Sequence, residues 1–249
     1  VSNHFPDHFS ALAEGYARHR PGYPAALFDW LAARAPGRAL AWDCATGSGQ
    51  AALGLAGHFD RVVATDASAD QLRRAAAHPR VHYAAAAAEA APLAGGALDL
   101  VTVAQAAHWF DLDRFYAEAR RVLRPGGVLA LWTYDLLAID PAVDAVFGRF
   151  YRDAVGPWWP PERHHVETGY RELPFPFPEL APPALEMTAE WRLADLLGYL
   201  GTWSAVKRCR EATGRDPVAG VAGPLREAWG EPETPRPVRW PLHLRVGVA

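Results

Sequence analysis

The stretch ALAWDCATGSGQAALGLA, residues 39–56, decides the fold class. Ala39 to Cys44 is a short apolar run of strand length, and Ala45-Thr46-Gly47-Ser48-Gly49 is a glycine-bearing turn. From Ala51 to Ala56 a helical pattern resumes. Strand, tight turn and helix are the opening unit of an open α/β sheet, in which ligands bind beyond the carboxyl ends of the strands.

Working outward, the unit repeats. Arg61 to Asp66 (RVVATD) is β-branched and ends in an acid, and Ser68 with Gln71 reads as a capping box that opens a helix through Ala77. Val81–Ala85 predicts a third strand and Leu98–Ala104 (LDLVTVA) a fourth. Asp111–Leu123 reads as a helix, and Val128–Tyr134 (VLALWTY) as a fifth strand after the turn at Pro125-Gly126-Gly127. Strands that alternate with helices imply a mainly parallel sheet covered on both faces. Before the first strand, Pro24 stands at a plausible first helical position, with Leu27, Phe28, Trp30 and Leu31 supplying an apolar face. After about residue 140 the pattern changes to a helix, a proline- and aromatic-rich stretch from Pro157 to Pro183, a helix around Leu193–Cys209, and a final β-like run, Val238–Val248. The proline-rich stretch is too long for a simple connector and predicts an insertion or lid.

Composition narrows the function. The chain has 249 residues, is 50% hydrophobic and carries 25 basic against 28 acidic side chains. One domain of this size buries an ample core, and the near-neutral charge lacks the basic footprint of a nucleic-acid binder. Two cysteines, Cys44 and Cys209, exclude a disulfide framework. No run of 18 apolar residues and no leader-like segment is present, so a soluble cytoplasmic protein without membrane or nucleic-acid partners is expected, as monomer or homodimer. His164-His165 lacks the spaced partners of a metal site, and no metal is expected.

The glycine turn offers backbone N–H groups to a ligand, and Asp66 falls where a carboxylate can accept both ribose hydroxyls of a nucleoside. Gly47 to Ala52 formally satisfies G-x-G-x-x-A, so a nicotinamide-dependent oxidoreductase is one reading. Against it, Asp43 on the strand side of the turn suits a cationic amine and would repel a pyrophosphate.

Trp42-Asp43-Cys44-Ala45-Thr46-Gly47-Ser48-Gly49 resembles the first motif of class I S-adenosylmethionine-dependent methyltransferases, with Ala45 where that family has its first glycine. The resemblance continues in Asp66, Glu89–Leu93 (EAAPL), Leu98-Asp99-Leu100-Val101 and Arg121–Gly127 (RVLRPGG), covering residues 38–134. A narrower likeness to trans-aconitate methyltransferase-like enzymes of small molecules rests on Tyr16, Arg20-Pro21 and Tyr23, on Gln105–Asp111 (QAAHWFD), and on Thr202-Trp203-Ser204.

The resemblance implies a three-layer, Rossmann-like fold with seven strands, N-terminal helices (1–37), a cofactor-binding core (38–139), a helical lid and substrate region (140–235) and a last strand (236–249). It implies S-adenosylmethionine as cofactor and S-adenosylhomocysteine as product. Asp43, Ala45, Thr46, Gly47 and Gly49 would face the methionine part of the cofactor. Asp66 and Ala67 would hold the ribose, Ala88 and Glu89 would flank adenine, and Gln105, Tyr16 and Arg20 would complete the site. Many members carry an acid for the adenine amino group where this sequence has Ala87, so backbone groups and apolar walls are expected to hold the base. His108 is the candidate base or hydrogen-bond donor, and Trp109, Tyr23 and Trp203 are candidate walls of an acceptor pocket. The expected acceptor is a small molecule, with a carboxylate oxygen as the first expectation. A cofactor-binding module without turnover is the third reading.

Overall fold

The structure is a computed structural model that describes residues 21–134 and 136–249; Tyr16, Arg20 and the first part of the N-terminal helical region lie outside the described residues. The chain divides into two compact units.

The first unit comprises residues 22–135, 164–186 and 241–249 and carries most of the sheet. Helix α1 (Ala25–Arg34) begins after Pro24 and buries Leu27, Phe28 and Leu31. Strand β1 (Leu40–Cys44) and helix α2 (Gln50–Ala56) flank the glycine turn. Strand β2 (Arg61–Asp66), helix α3 (Ala69–Leu72), strand β3 (Val81–Ala85) and strand β4 (Leu98–Ala104) follow. Helix α4 (Leu112–Val122), strand β5 (Leu123–Tyr134) and helix α6 (Arg163–Glu167) complete the set before the two-residue strand β6 (Glu179–Leu180). Helix α5 (Pro141–Arg149) belongs to the other unit.

The strand order is β3-β2-β1-β4-β5-β8-β6, where β8 is Arg236–Val248, and strand β7 (Leu185–Trp191) pairs with β8. Strands β1 to β5 are parallel, while β8 runs antiparallel to β5, from Val128↔Val248 to Tyr134↔Leu242. The sheet therefore has eight strands. Seven were expected, and the difference comes from short or edge pairings that leave no periodic mark of their own.

Alternation along the strands sends Trp42, Val101, Val103, Leu129 and Leu131 into one core with Phe115, Tyr116 and Ala119 of α4 and with Tyr170 and Phe177. The Trp42 indole N–H, fully buried, donates to Thr65 Oγ1 at 2.9 Å. Helices α1 and α2 pack against β5 and β1, respectively. The two helical layers make the sheet the middle of three, as its apolar runs demand.

Three boundaries depart from expectation. The helix opened by Ser68 ends at Leu72 instead of Ala77, although Gln71 N does donate to Ser68 Oγ. None of its residues is buried, so no apolar face extends it. The turn predicted at Pro125-Gly126-Gly127 lies within β5 as an irregularity, with a register shift opposite Leu98–Leu100 and Gly126 at φ +77°. Leu193–Cys209 is broken into α7 (Leu193–Gly201) and α8 (Ser204–Thr213).

The second unit, 136–163 and 187–240 among the described residues, also contains α9 (Pro217–Trp229), capped by Asp216. Its interior is aromatic: the Trp203 ring lies 5.4 Å from Trp159, 5.6 Å from Phe147 and 5.8 Å from Tyr199. In that cluster Trp159 and Trp203 serve as packing.

Candidate functional site

The carboxyl ends of β1, β2, β4 and β5 gather most of the candidate residues. Asp43 is fully buried near the end of β1. It accepts hydrogen bonds from Thr46 Oγ1 at 2.5 Å and from Thr102 Oγ1 at 2.8 Å. Thr102 reaches it because Asp43 and Thr102 are register partners in parallel strands and so share a face. Burial pushes the Asp43 carboxyl up from 3.8 to about 6; the two hydroxyls pull it down and Asp66 adds to the rise. The carboxylate thus holds the turn through Thr46 and ties it to β4 through Thr102.

The turn itself is tied on both sides. Thr46 N donates to Thr65 O at 2.8 Å, and Gly47 N donates to Asp66 Oδ2 at 2.8 Å. Asp66 Oδ1 accepts from Ser68 N at 2.8 Å, which links the first strand-to-helix turn to the second. Ala67 beside it is exposed. Gly47 has φ +58°, and a side chain there would meet nothing within 4 Å, so the space above the turn is open. At Gly49, φ +87°, an added Cβ would collide with the Tyr83 hydroxyl. Both glycines are required by conformation, and Gly47 also leaves room for a ligand.

Ala45 adopts φ +54°. That position wants glycine, which explains why the family motif has one there. Ala45→Gly is expected to stabilise the chain by about 0.5–1 kcal/mol, the relief of left-handed strain less the added freedom of the unfolded glycine. Urea unfolding checks this, and a loss of stability would refute the strain.

In the loop after β3, Ala88 is buried, and Glu89 Oε1 accepts from Asp111 N at 3.2 Å, at the start of α4. Glu89 thus helps to close the loop after β3. Gln105 follows β4 with φ +58°, donates its N–H to Trp132 O, and accepts from Thr133 Oγ1 at 2.8 Å. His108 and Trp109 lie in a single 3-10 turn, Ala107–Trp109, with their rings 4.8 Å apart. His108 Nδ1 is 2.8 Å from Tyr170 Oη. Tyr170 is fully buried, and burial holds its hydroxyl far above the usual phenol range. Tyr23 packs edge-on against Trp132, with centroids 5.4 Å apart.

Trp203 belongs to the second unit, where it is buried in the aromatic cluster. Three polar residues at the site escape the sequence reading: Thr102, Thr133 and Tyr170. The two threonines leave a signal, a lone hydroxyl inside the apolar runs LDLVTVA and VLALWTY, because a buried polar side chain needs a partner. Tyr170 leaves none. Both cysteines are free and buried. Among the described residues, no group of three or more His, Cys, Asp and Glu side chains is placed to hold a metal, and no helix is long and apolar enough to cross a membrane.

The donor set fits a nucleoside-bearing cation: a buried acid under an open glycine turn, and a second acid at the end of the neighbouring strand. Comparison with known proteins agrees. The family model described as a methyltransferase domain matches residues 42–131. A Dictyostelium discoideum protein named as a methyltransferase is 33% identical over 229 residues, covering 90% of this chain and 87% of that protein. A Mycobacterium bovis protein named as an uncharacterized methyltransferase is 40% identical over 124 residues, about half of each chain. Among solved structures, one described as a type II methyltransferase from Anaeromyxobacter dehalogenans superposes with a TM-score of 0.87 and 56% identity, covering 92% of this chain and 97% of that one.

These matches, the sheet order and the glycine turn define an α/β enzyme of one-carbon transfer. The chain belongs to the class I S-adenosylmethionine-dependent methyltransferases. The G-x-G-x-x-A match is the same turn used by another cofactor class, and the nicotinamide reading is set aside.

Proposed function

We propose that this chain transfers a methyl group from S-adenosylmethionine to an oxygen atom of a small molecule, releasing S-adenosylhomocysteine. The observation that carries the reading is the linked turn, in which Asp43, Thr46, Gly47 and Asp66 are joined by hydrogen bonds beneath open space. Thr46, Gly47 and Gly49 would face the methionine part, with Asp43 supplying negative charge from below. Asp66 and Ala67 would hold the ribose, Ala88 and Glu89 would border adenine, and Gln105 would stand near the reacting end. The cofactor supplies an electrophilic methyl carbon on a sulfonium whose sulfur keeps the C–S electron pair on leaving.

The protein's work is therefore placement: an acceptor atom about 3–3.5 Å from that carbon and in line with the sulfur. A carboxylate acceptor is ionised at neutral pH and needs no base, whereas a hydroxyl must lose a proton. His108, Trp109 and Tyr23 would border the acceptor.

Calorimetric titration with S-adenosylhomocysteine and, separately, with a nicotinamide dinucleotide tests the cofactor assignment; binding of the first alone is expected. Asp66→Ala should weaken that binding by about 1–3 kcal/mol, the loss of charge-assisted hydrogen bonds. Unchanged affinity would remove Asp66 from the site.

A further inference from the structure

Gln105 is held by more bonds than a loop residue needs. It directly follows β4 and keeps φ at +58°, a left-handed conformation that residues other than glycine rarely adopt. Its backbone N–H donates to Trp132 O at 2.9 Å, and its Oε1 accepts from the Thr133 hydroxyl at 2.8 Å. Thr133 is fully buried in β5, inside the apolar run VLALWTY. A buried hydroxyl has one proton to give, and Gln105 Oε1 takes it. The carboxamide is thereby oriented. Its acceptor end is spent on Thr133, and the N–H groups of Nε2 have no acceptor among the described residues. Gln105 is only half-buried, so a ligand can reach those donors. A strained backbone and a buried anchor that together fix one amide are the mark of a functional arrangement.

The place of Gln105 in the sheet says which ligand. Cys44, the last residue of β1, pairs with Val103, and Ala104 pairs with Trp132 of β5, so Gln105 lies between the glycine turn and the end of β5. Neighbouring strands are about 4.8 Å apart. The turn after β1 and Asp66 at the end of β2 are assigned to methionine and ribose, which puts the cofactor on the β1–β2 side of β4. The Gln105 amide is fastened on the other side, to β5. It therefore borders the molecule that meets the methyl group from there, the acceptor. A donor on the attacking oxygen would tie up the electron pair that has to reach the methyl carbon, whereas a donor on a second oxygen beside it orients the acceptor and leaves that pair available.

We propose that Gln105, positioned by Thr133, is a specificity-determining residue whose carboxamide N–H groups hold an acceptor oxygen adjacent to the one methylated, as in a carboxylate. The inference rests on the methyl-transfer reading above. One carboxylate oxygen stays on Gln105 Nε2, while the other forms the new C–O bond as the C–S bond breaks and leaves its electron pair on sulfur. The negative charge of the carboxylate cancels the positive charge of the sulfonium, and no proton moves.

The test reads the amide directly. The chain has three glutamines, Gln50, Gln71 and Gln105, and one asparagine, Asn3, so a 1H–15N correlation spectrum holds four side-chain amide pairs. Gln105→Glu removes one pair and so assigns it. The whole chain, saturated with S-adenosylhomocysteine, is titrated with acetate, benzoate and octanoate, and separately with their neutral counterparts ethanol, benzyl alcohol and octanol. The Gln105 pair is expected to move with at least one carboxylate and with none of the alcohols. Gln105→Glu keeps the shape but replaces the donors by negative charge, and should weaken binding of that carboxylate about tenfold in calorimetry. Thr133→Val should remove most of the shift and Thr133→Ser should retain it, a difference that a hydroxyl serving only the fold would not produce. A Gln105 pair unmoved by every carboxylate overturns the proposal, as does one moved equally by the alcohols. A pair that moves with S-adenosylhomocysteine alone and no further with any carboxylate overturns it too, and assigns Gln105 to the cofactor. Failure of S-adenosylhomocysteine to bind would sink the cofactor site, whereas binding with an unmoved Gln105 pair sinks only the role of Gln105.

Discussion

Replacing Asp43 by asparagine should make the unliganded protein more stable at neutral pH while weakening its hold on S-adenosylhomocysteine. Burial raises the Asp43 carboxyl from 3.8 to about 6. The folded protein therefore binds this proton more tightly than the unfolded chain does. Between about pH 4 and pH 6 the folded state is the more protonated one, so the contribution is complete below pH 4 and is lost as pH rises through 6. The loss amounts to about 3 kcal/mol, and an ionised Asp43 carries it at neutral pH. Asparagine has nearly the same shape and never ionises, so it stands in for the protonated acid. Glu118 and Glu179 act in the other direction, because Arg121 and Arg245 hold their carboxyls below the usual range. The informative quantity is thus the difference between wild type and Asp43→Asn in urea unfolding across pH. It should be near zero at pH 4 and reach about 3 kcal/mol in favour of the variant by pH 7.5. A difference that does not change with pH would show that Asp43 is not ionised at a cost. Affinity for S-adenosylhomocysteine should fall by roughly tenfold, since a negative charge beneath the turn is removed. Stability gained and binding lost by one atom change is the pattern of a group kept for its ligand.

What could be read from the sequence follows from how local each signal is. Strands β2, β3 and β4 have the boundaries expected, because each is a β-branched or apolar run closed by an acid, a proline or a glycine within a few residues. The turn from Asp43 to Gly49 and its partner Asp66 were legible for the same reason. Helix α9 was not, since Gly220, Gly223 and Pro224 inside Pro217–Trp229 read as loop, although Asp216-Pro217 is a sound helix start. Strand β6, two residues long, exists through its pairing with Gly247 and Val246 of β8. Tyr170 is the clearest case at the site. It reaches His108 across 62 residues of sequence, after a glycine with φ +60°, and no local pattern announces that meeting.

Asp99 shows how a residue inside a recognisable motif can serve the fold and not the chemistry. It belongs to the Leu98–Val101 stretch that resembles the methyltransferase pattern, yet it sits at the amino end of β4, away from the carboxyl ends where the turn lies. Its side chain is fully buried. Oδ2 accepts from Leu40 N, the first residue of β1, at 3.0 Å. Oδ1 lies 3.1 Å from Arg124 Nη1, an ion pair without the alignment of a hydrogen bond. A Cβ at Gly37 would collide with the same oxygen, so the chain entering β1 passes directly over the carboxylate. One side chain thus ties the start of β1, the start of β4 and the bulged start of β5. Asp99→Ala removes the acceptor of a buried N–H, leaves Arg124 without its counter-charge and opens a gap beneath Gly37. The expected loss is about 3 kcal/mol, held below the upper end for buried pairs because Arg124 is partly exposed and can hydrate. Asp99→Asn keeps an acceptor for Leu40 and should lose about half as much. Affinity of the folded variants for S-adenosylhomocysteine should stay within about twofold of wild type, since neither change reaches the turn. A tenfold loss of binding without loss of stability would instead place Asp99 in the site.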